Sequence, residues 1–288
     1  MRNDFAVFIL THGRANNIST MKGVLEAGHY TGKWYMVIDN EDDQHDEYIR
    51  RYGRDHVIVF DKQAVDNWTD TADNFHEHRA IIYARNQSFY IAQSLGLKYF
   101  LMLDDDYTGL HFRFIKDNQP KGLKVSSCDR LFDDMIRFLD DSKALTVAFC
   151  QTGDFMGGIN GKRYGQKVIR KAMNSFFCRT DRPFKFIGTM NEDVTMYTTL
   201  GSRGELIMSI TDAAITQKST QGTAGGMSEA YADGGTFLKS FYTVMAMPSA
   251  VKVSMLNSSH KRIHHLIDWK SCVPKILNQK YKKEFNNV

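Results

Sequence analysis

Short apolar segments in the first 110 residues alternate with segments of helical periodicity, and this alternation constrains the fold more than any other feature. Apolar runs cover residues 5–10, 34–38, 56–60 and 99–103, and helical patterns cover residues 19–27 and 80–95. Each apolar run ends at polar residues, which is typical of a buried parallel strand. Strands that alternate with helices predict an α/β fold with a mostly parallel, Rossmann-like sheet flanked by helices.

Polar or acidic side chains follow three of these predicted strands. The residues concerned are Thr11, His12 and Arg14 after the first strand, Asp39 after the second, and Asp104, Asp105 and Asp106 after the fourth. Ligands of open parallel sheets bind at the carboxyl ends of the strands. We therefore expect one nucleotide-like ligand to contact all three clusters, with His12 and Arg14 against base or phosphate and Asp39 accepting hydrogen bonds from base or ribose.

The run of three aspartates favours a metal site. Alternate residues past a strand end can point into one cleft, which brings Asp104 and Asp106 together while Asp105 points away. Two such carboxylates can hold Mn or Mg together with phosphate oxygens and water, and the metal offsets charge on a departing diphosphate. A solvated acidic turn is the alternative; it is less favoured because an apolar strand places these mutually repelling charges at the edge of a core.

Residues of the second half supply candidates for catalysis and for the remaining metal ligand. Asp193 is the candidate general base and Glu192 a supporting acceptor-binding group, because a carboxylate at a helix start can reach a hydroxyl; an ordinary acidic helix N-terminus is the alternative. His260 can complete the metal shell as a neutral imidazole, with His264 and His265 as competitors.

Several single residues are weaker candidates. Lys261 suits a diphosphate as a cation, and Arg85 can reach donor phosphates or pair with surface acids. Gly157 and Gly158 allow close backbone approach of an acceptor. Trp269 can stack on a sugar or base, although packing is the simpler role for a lone tryptophan.

The composition limits which other classes of protein this chain can belong to. The four cysteines form no CxxC pair, which argues against zinc knuckles and disulfide scaffolds. No apolar run approaches the roughly 18 residues of a membrane helix, and residues 1–5 lack a secretory pattern, so we expect a soluble, cytoplasmic protein with no membrane partner. Nine lysines and arginines against two acids in residues 239–288 are compatible with a polyanionic partner.

The second half is less regular, with a helix expected over 129–138 and strands over 144–149 and 250–256. The stretch 153–165, rich in glycine and polar residues, is expected to be a loop, and the glycine-rich stretch 217–235 is expected to be mobile. Without a Pro-rich linker, the simplest organisation is a single domain over 1–288, with a nucleotide-sugar-binding half (1–110) and an acceptor-binding half (111–288) that ends in a basic tail.

The order of these motifs resembles the GT-A glycosyltransferase fold. The motifs concerned are the loop at Thr11, the acid Asp39, the pair Arg85-Asn86, the DxD motif Asp104-Asp105-Asp106, the xED motif at Glu192-Asp193 and the C-terminal histidine His260. The resemblance implies a nucleoside diphosphate sugar donor such as a UDP-sugar, a divalent metal (Mn or Mg), and Asp193 as base if the configuration is inverted.

Residues 234–236, 240–242 and 260–265, with Trp269, resemble bacteriophage glycosyltransferases associated with TET/JBP-type oxygenases. This resemblance implies that the acceptor is 5-hydroxymethylcytosine or 5-hydroxymethyluracil in phage DNA, modified in an infected bacterial host, with basic residues along the phosphates. A glycan, lipid or protein acceptor stays open. A nucleotidyltransferase is a further alternative, although such enzymes usually have a Gly-rich loop near the N-terminus and Gly13 alone is not one. A non-catalytic DNA-binding or capsid-associated protein is another alternative.

Overall fold

The computed structural model describes residues 1–72, 78, 80–155, 158–160, 166–217, 227–256, 262–272 and 277–282; for residues 158, 227–236, 256 and 262 it describes the backbone alone. The strands are β1 Phe5–Leu10, β2 Lys33–Asp39, β3 Val57–Phe60, β4 Tyr99–Asp104, β5 Tyr107–Lys116, β6 Gln119–Lys124, β7 Thr146–Gln151, β8 Val168–Ile169, β9 Ser175–Arg179, β10 Ile207–Gln217, β11 Val251–Leu256 and β12 Arg262–Ile267. The α-helices are α1 His45–Tyr52, α2 Lys62–Asp66, α3 Ile82–Ser94, α4 Cys128–Asp141, α5 Glu192–Ser202, α6 Met227–Ala246 and α7 Trp269–Cys272.

One large sheet contains strands from both halves of the chain, in the order β3-β2-β1-β4-β9-β7-β10-β5-β6, with β8 paired to β10. The β3-β2-β1-β4 part is parallel. Beyond it, β9 is antiparallel to both neighbours while β7 and β10 are parallel to each other. The predicted α/β fold is confirmed and agrees with the GT-A expectation; its antiparallel strands are concentrated in the second half. The assignment of donor and acceptor roles to the two halves stays a prediction.

The core lies on both faces of this sheet, as the uninterrupted apolar strands predict. Every residue of β1 is buried: Phe5, Val7 and Ile9 pack on the face covered by α4, and Ala6, Phe8 and Leu10 on the face covered by α3 and α5. The alternation follows from the two-residue period of a strand. Because both faces are covered, the carboxyl edge of the sheet is left for ligands.

Two predictions about local structure differ from the observed elements, and one observed element was not predicted. The helix expected over 19–27 is wound as a π-helix at Met21–Glu26. In the stretch 217–235, which is expected to be mobile, helix α6 begins at Met227 and packs on α5, β11 and β12. The β5–β6 hairpin was not predicted. Within the described residues, no helix has the length and apolar character needed to span a membrane.

Candidate functional site

The ends of β1, β2 and β4 converge, as predicted. Strand register sets Leu10 beside both Val37 and Asp104, so the loop after β1 lies between the acids that follow its two neighbours. Within this loop, Thr11 donates a hydrogen bond to Asp105 (2.7 Å), and the His12 ring lies 2.9 Å from the Asp39 carboxylate. The three clusters therefore form one site.

Asp105 anchors the first loop. Its carboxylate accepts hydrogen bonds from the Thr11 hydroxyl at 2.7 Å and from the Arg14 guanidinium at 2.9 Å. The phenol of Tyr48, a residue that sequence reasoning did not select, adds a contact of 3.0 Å to Thr11 and accepts from the Arg14 amide. Both oxygens of Asp105, which is expected to point away from the metal, hold the loop that we expect to contact the nucleotide.

Asp39 is buried between a histidine and a lysine. His12 Nδ1 lies 2.9 Å from one carboxylate oxygen, and Lys62 Nζ lies 3.1 Å from the other. Burial raises the pKa of Asp39, but the His12 hydrogen bond and the Lys62 charge outweigh it, and the pKa is lowered overall. Lys62, which no sequence motif marks, thus joins His12 in fixing Asp39 as a carboxylate at the strand end.

Arg85 is buried between acids from two parts of the chain. Its guanidinium donates to Asp104 at 3.1 Å, its Nε lies 3.1 Å from Glu192 without hydrogen-bond geometry, and it lies over the rings of Phe176 and Phe186 at 4.8 and 5.5 Å. At 2% exposure it cannot pair with surface acids. The structure places this arginine as a buried bridge between Asp104 and Glu192, and its contact with donor phosphates stays a prediction.

The acids around Arg85 hold protons more tightly than free carboxyl groups. Burial raises the pKa of Asp104 to about 8, with Asp106, Glu192 and Asp105 adding to the rise and Arg85 opposing it. Burial likewise raises the pKa of Glu192 to about 7 and raises that of Asp193. The charge of Arg85 therefore does not offset the negative charge of these buried carboxylates. A further cation beside them would be stabilised by the remaining negative charge.

Asp106 has a buried carboxylate oxygen that could accept such a cation. Its Oδ1 is buried and has no hydrogen-bond partner in the part of the chain that the structure describes, while its Oδ2 receives a long contact of 3.4 Å from Gln217. Burial, followed by the Asp105 charge, raises its pKa. The neighbouring Asp104 side chain is 19% exposed, so a ligand can reach the pair from solvent. Gln217 was not predicted, because it lies at the end of β10 and that strand was not predicted either.

Glu192 and Asp193 begin α5 and are buried. The preceding Asn191 has the left-handed backbone (φ 53°) that asparagine adopts more readily than most residues, and its amide donates to the Lys239 carbonyl at 2.5 Å. Asp193 accepts from the Val194 amide at 2.7 Å. The start of α5 is therefore fixed against α6, next to Arg85.

The remaining predicted residues are only partly placed. Trp269 stacks on Tyr197 at 5.8 Å and is partly buried in the core, so packing accounts for it. His264 and His265 lie on β12, and within the described ranges no three His, Cys, Asp or Glu side chains are grouped so as to hold a metal. Gly158 begins a short 3₁₀ turn, Gly158–Asn160. Gly157, His260 and Lys261 lie outside the described residues.

Sequence comparison decides the family. The profile of the TET-associated glycosyltransferases matches residues 5–226, most of the chain. The chain belongs to this family. The protein is therefore a glycosyltransferase, as the motif order implies, and the nucleotidyltransferase and non-catalytic alternatives fall away. No curated protein sequence matches the glycosyltransferase significantly.

Two solved structures similar to this glycosyltransferase are complexes of glucosyl-3-phosphoglycerate synthase from Mycobacterium tuberculosis. The complex with Mg²⁺ and uridine diphosphate has a TM-score of 0.46 and 10% identity over 92% of this chain and 88% of that chain. The complex with Mn²⁺, uridine diphosphate and phosphoglyceric acid has a TM-score of 0.44 and 10% identity over 92% of this chain and 87% of that chain.

Proposed function

We propose that this glycosyltransferase moves a sugar from a nucleoside diphosphate sugar to the hydroxymethyl group of a 5-hydroxymethylpyrimidine, cytosine or uracil, in phage DNA. The observation that carries the proposal is the buried, unpartnered Oδ1 of Asp106 beside the partly exposed Asp104, in a chain of the TET-associated family. An acid pair of this kind suits a metal-bound diphosphate.

The donor set fits a divalent metal, Mn or Mg. Asp106 Oδ1 lacks a donor among the described residues, and hard oxygen ligands are those that Mg and Mn prefer. Asp104 and Asp106 would hold the ion, with His260 as the proposed third ligand. When bound, the metal neutralises charge on the departing diphosphate. The proposed donor is a UDP-sugar, as the order of the motifs implies.

The first loop and the end of β2 would bind the nucleoside. Asp39 is held as a carboxylate by Lys62 at 3.1 Å, so it can accept hydrogen bonds from base or ribose. His12, whose side chain is 41% exposed, can contact the base directly. Arg14 and Lys261 supply positive charge toward the phosphates, whereas Arg85 acts from beneath by holding Asp104.

Asp193 would take the proton of the acceptor hydroxyl in an inverting reaction. It lies one residue from Glu192, which is ion-paired with Arg85, so the base and the metal-binding pair belong to one buried network. Its raised pKa suits a group that receives a proton during the reaction. If configuration is retained, Asp193 positions the substrate instead.

The acceptor is tested by incubating the protein with duplexes that contain cytosine, 5-hydroxymethylcytosine or 5-hydroxymethyluracil, with several sugar donors and Mn or Mg. The DNA is then digested and its nucleosides are weighed by mass spectrometry. We expect a sugar mass on hydroxymethyl bases alone, and none with Asp106→Asn. Unmodified nucleosides in every reaction, together with transfer to a glycan, lipid or protein, would reject DNA as the acceptor.

A further inference from the structure

The outer part of the β5–β6 hairpin, beyond Phe112, leaves the large sheet. β5 pairs with β10 only from Tyr107 to Phe112, and β8 takes the place beside Ser209 and Ile210 further along β10. The hairpin continues on its own register to the turn after Lys116, and every residue of β6 is exposed. It is therefore a two-stranded ribbon that extends from the sheet.

Basic and apolar side chains dominate this ribbon. Over residues 107–124 the basic residues are Arg113, Lys116, Lys121 and Lys124, with His111 besides, and Asp117 is the one acid. Register places Phe112 opposite Leu123, and Phe114 opposite Lys121. These four side chains share one face, because directly opposed residues of an antiparallel pair lie on the same side.

The apolar side chains of this face are partly exposed to solvent. Phe112, Phe114 and Leu123 are 38%, 44% and 62% exposed. An apolar row rimmed by lysines marks an interaction surface rather than a core face. The positive rim selects a polyanion as the partner, since it would repel another basic surface.

The ribbon is continuous with the proposed active site. β5 starts at the residue after Asp106, and β6 packs beside the turn Gly158–Asn160, which contains a predicted acceptor-binding residue. The Arg113 guanidinium lies 3.9 Å over Phe155, and its buried Nε has no hydrogen-bond partner among the described residues. Next to it lies a groove of about 240 Å³ lined by His111, Arg113 and Lys121.

We propose that the β5–β6 ribbon holds the acceptor as duplex DNA, with the Phe112–Phe114 face in a groove, Lys116 and Lys121 of that face on phosphates, and Lys124 adding positive charge from the other face. A two-stranded β-ribbon fits the major groove of B-DNA, where the 5-substituent of a pyrimidine lies. At a rise of about 3.3 Å per residue, β5 reaches about 30 Å from Asp106, close to one turn of the duplex. The inference rests on the proposed function, because it concerns the acceptor of the same site.

The test measures binding and transfer separately. Binding of a fluorescent 20-base-pair duplex, hydroxymethylated or unmodified, is followed by anisotropy at several salt concentrations for wild type and for Lys116→Gln/Lys121→Gln/Lys124→Gln. Because this variant lacks the two phosphate-binding lysines and a further cation of the ribbon, the magnitude of the slope of log affinity against log salt falls by about 2, and affinity at low salt falls at least tenfold. Transfer to a hydroxymethylated nucleoside or dinucleotide keeps its kcat, because the catalytic residues are intact.

The matched control is Lys33→Gln/Lys98→Gln/Lys143→Gln. It removes the same charge from exposed lysines next to the amino ends of β2, β4 and β7, at the opposite edge of the sheet, and keeps the wild-type slope. Phe114→Ala weakens binding with the slope unchanged, because the contact it removes is apolar. Melting curves verify that each variant is folded.

The outcomes separate the two proposals. If wild type binds duplex and the ribbon variant matches the control, the ribbon inference is wrong whatever the acceptor. If wild type binds no duplex, or if the ribbon variant loses transfer to a protein or glycan with DNA binding intact, the inference is also overturned. If duplex binding depends on the ribbon but no hydroxymethyl base receives sugar, the inference stands and the proposed reaction fails.

Discussion

The guanidinium of Arg85 lies 3.1 Å from the carboxylate of Asp104, and this contact is buried beneath the proposed donor site. The same arginine lies 3.1 Å from Glu192, so residues from α3, β4 and α5 meet at one cation. Removing it leaves two carboxylates in a medium of low dielectric constant without their partner. Arg85 thus joins the proposed metal-binding residue Asp104 to Glu192, beside the proposed base.

Arg85→Met is expected to destabilise the protein by about 3–5 kcal/mol, because a broken buried ion pair leaves an uncompensated charge. Arg85→Lys keeps the positive charge, although one ammonium group then faces two carboxylates, and it is expected to lose less stability than Arg85→Met. Urea unfolding followed by circular dichroism measures both. Arg137→Met is the control, since Arg137 is exposed at the surface; equal losses for the two methionine variants would contradict the bridging role.

Gly23→Ala tests the close packing behind the aspartate run. A Cβ at position 23 would lie 2.7 Å from the backbone carbonyl of Thr108, two residues past Asp106. Overpacking against backbone is expected to cost about 1–3 kcal/mol. Gly122→Ala, whose Cβ would meet its nearest atom at 3.8 Å, should leave the melting temperature almost unchanged. A Gly23→Ala protein as stable as Gly122→Ala would show that the π-helix can move.

The His12–Asp39 pair predicts a pH dependence of stability. The hydrogen bond to Asp39 is the largest cause that raises the pKa of His12, so the folded state binds this proton more tightly than the unfolded chain. The contribution of this pair to the free energy of unfolding is fully present below about pH 6.5, the pKa of an unperturbed histidine. It is lost as the pH rises through the pKa of His12 in the folded state. His12→Asn should flatten the pH dependence of the unfolding free energy above pH 6.5, and parallel curves for the two proteins would count against the pair.

Asp193→Asn is expected to lower kcat by about 10² to 10⁴ and to leave donor affinity unchanged, because it removes the proton acceptor and no donor contact. Steady-state transfer to hydroxymethylated DNA and calorimetry with UDP measure the two quantities. Asp212→Asn, at an exposed aspartate paired with Lys167, serves as the control. A loss of only a few fold, with retained anomeric configuration in the product, would reduce Asp193 to a positioning residue.

The sequence was sufficient to predict the parallel part of the sheet and the convergence of its strand ends. Apolar runs such as β1 are buried on both faces, and the ends of neighbouring parallel strands meet at one edge. The sequence did not predict the partners within that edge. Asp105 binds Thr11, which is 94 positions away, and no local pattern specifies which of three adjacent carboxylates makes such a contact.

Elements of the second half were harder to predict for different reasons. Gly234 and Gly235 lower helix propensity, yet α6 continues through them because its packing on α5, β11 and β12 outweighs the cost of about 1 kcal/mol for each glycine. The β5–β6 hairpin was missed because Pro120 and Gly122 interrupt its pattern. Both are tolerated in β6, which is an edge strand.

The central claim is that Asp104 and Asp106 bind the donor diphosphate through a divalent metal. Calorimetry of UDP binding with and without Mn²⁺ tests it, using wild type, Asp106→Asn and the control Asp212→Asn. We expect wild type and Asp212→Asn to bind UDP only when Mn²⁺ is present, and Asp106→Asn, folded by its melting curve, to lose binding at least tenfold. UDP binding that is equally tight without metal, or unchanged in Asp106→Asn, would contradict the account.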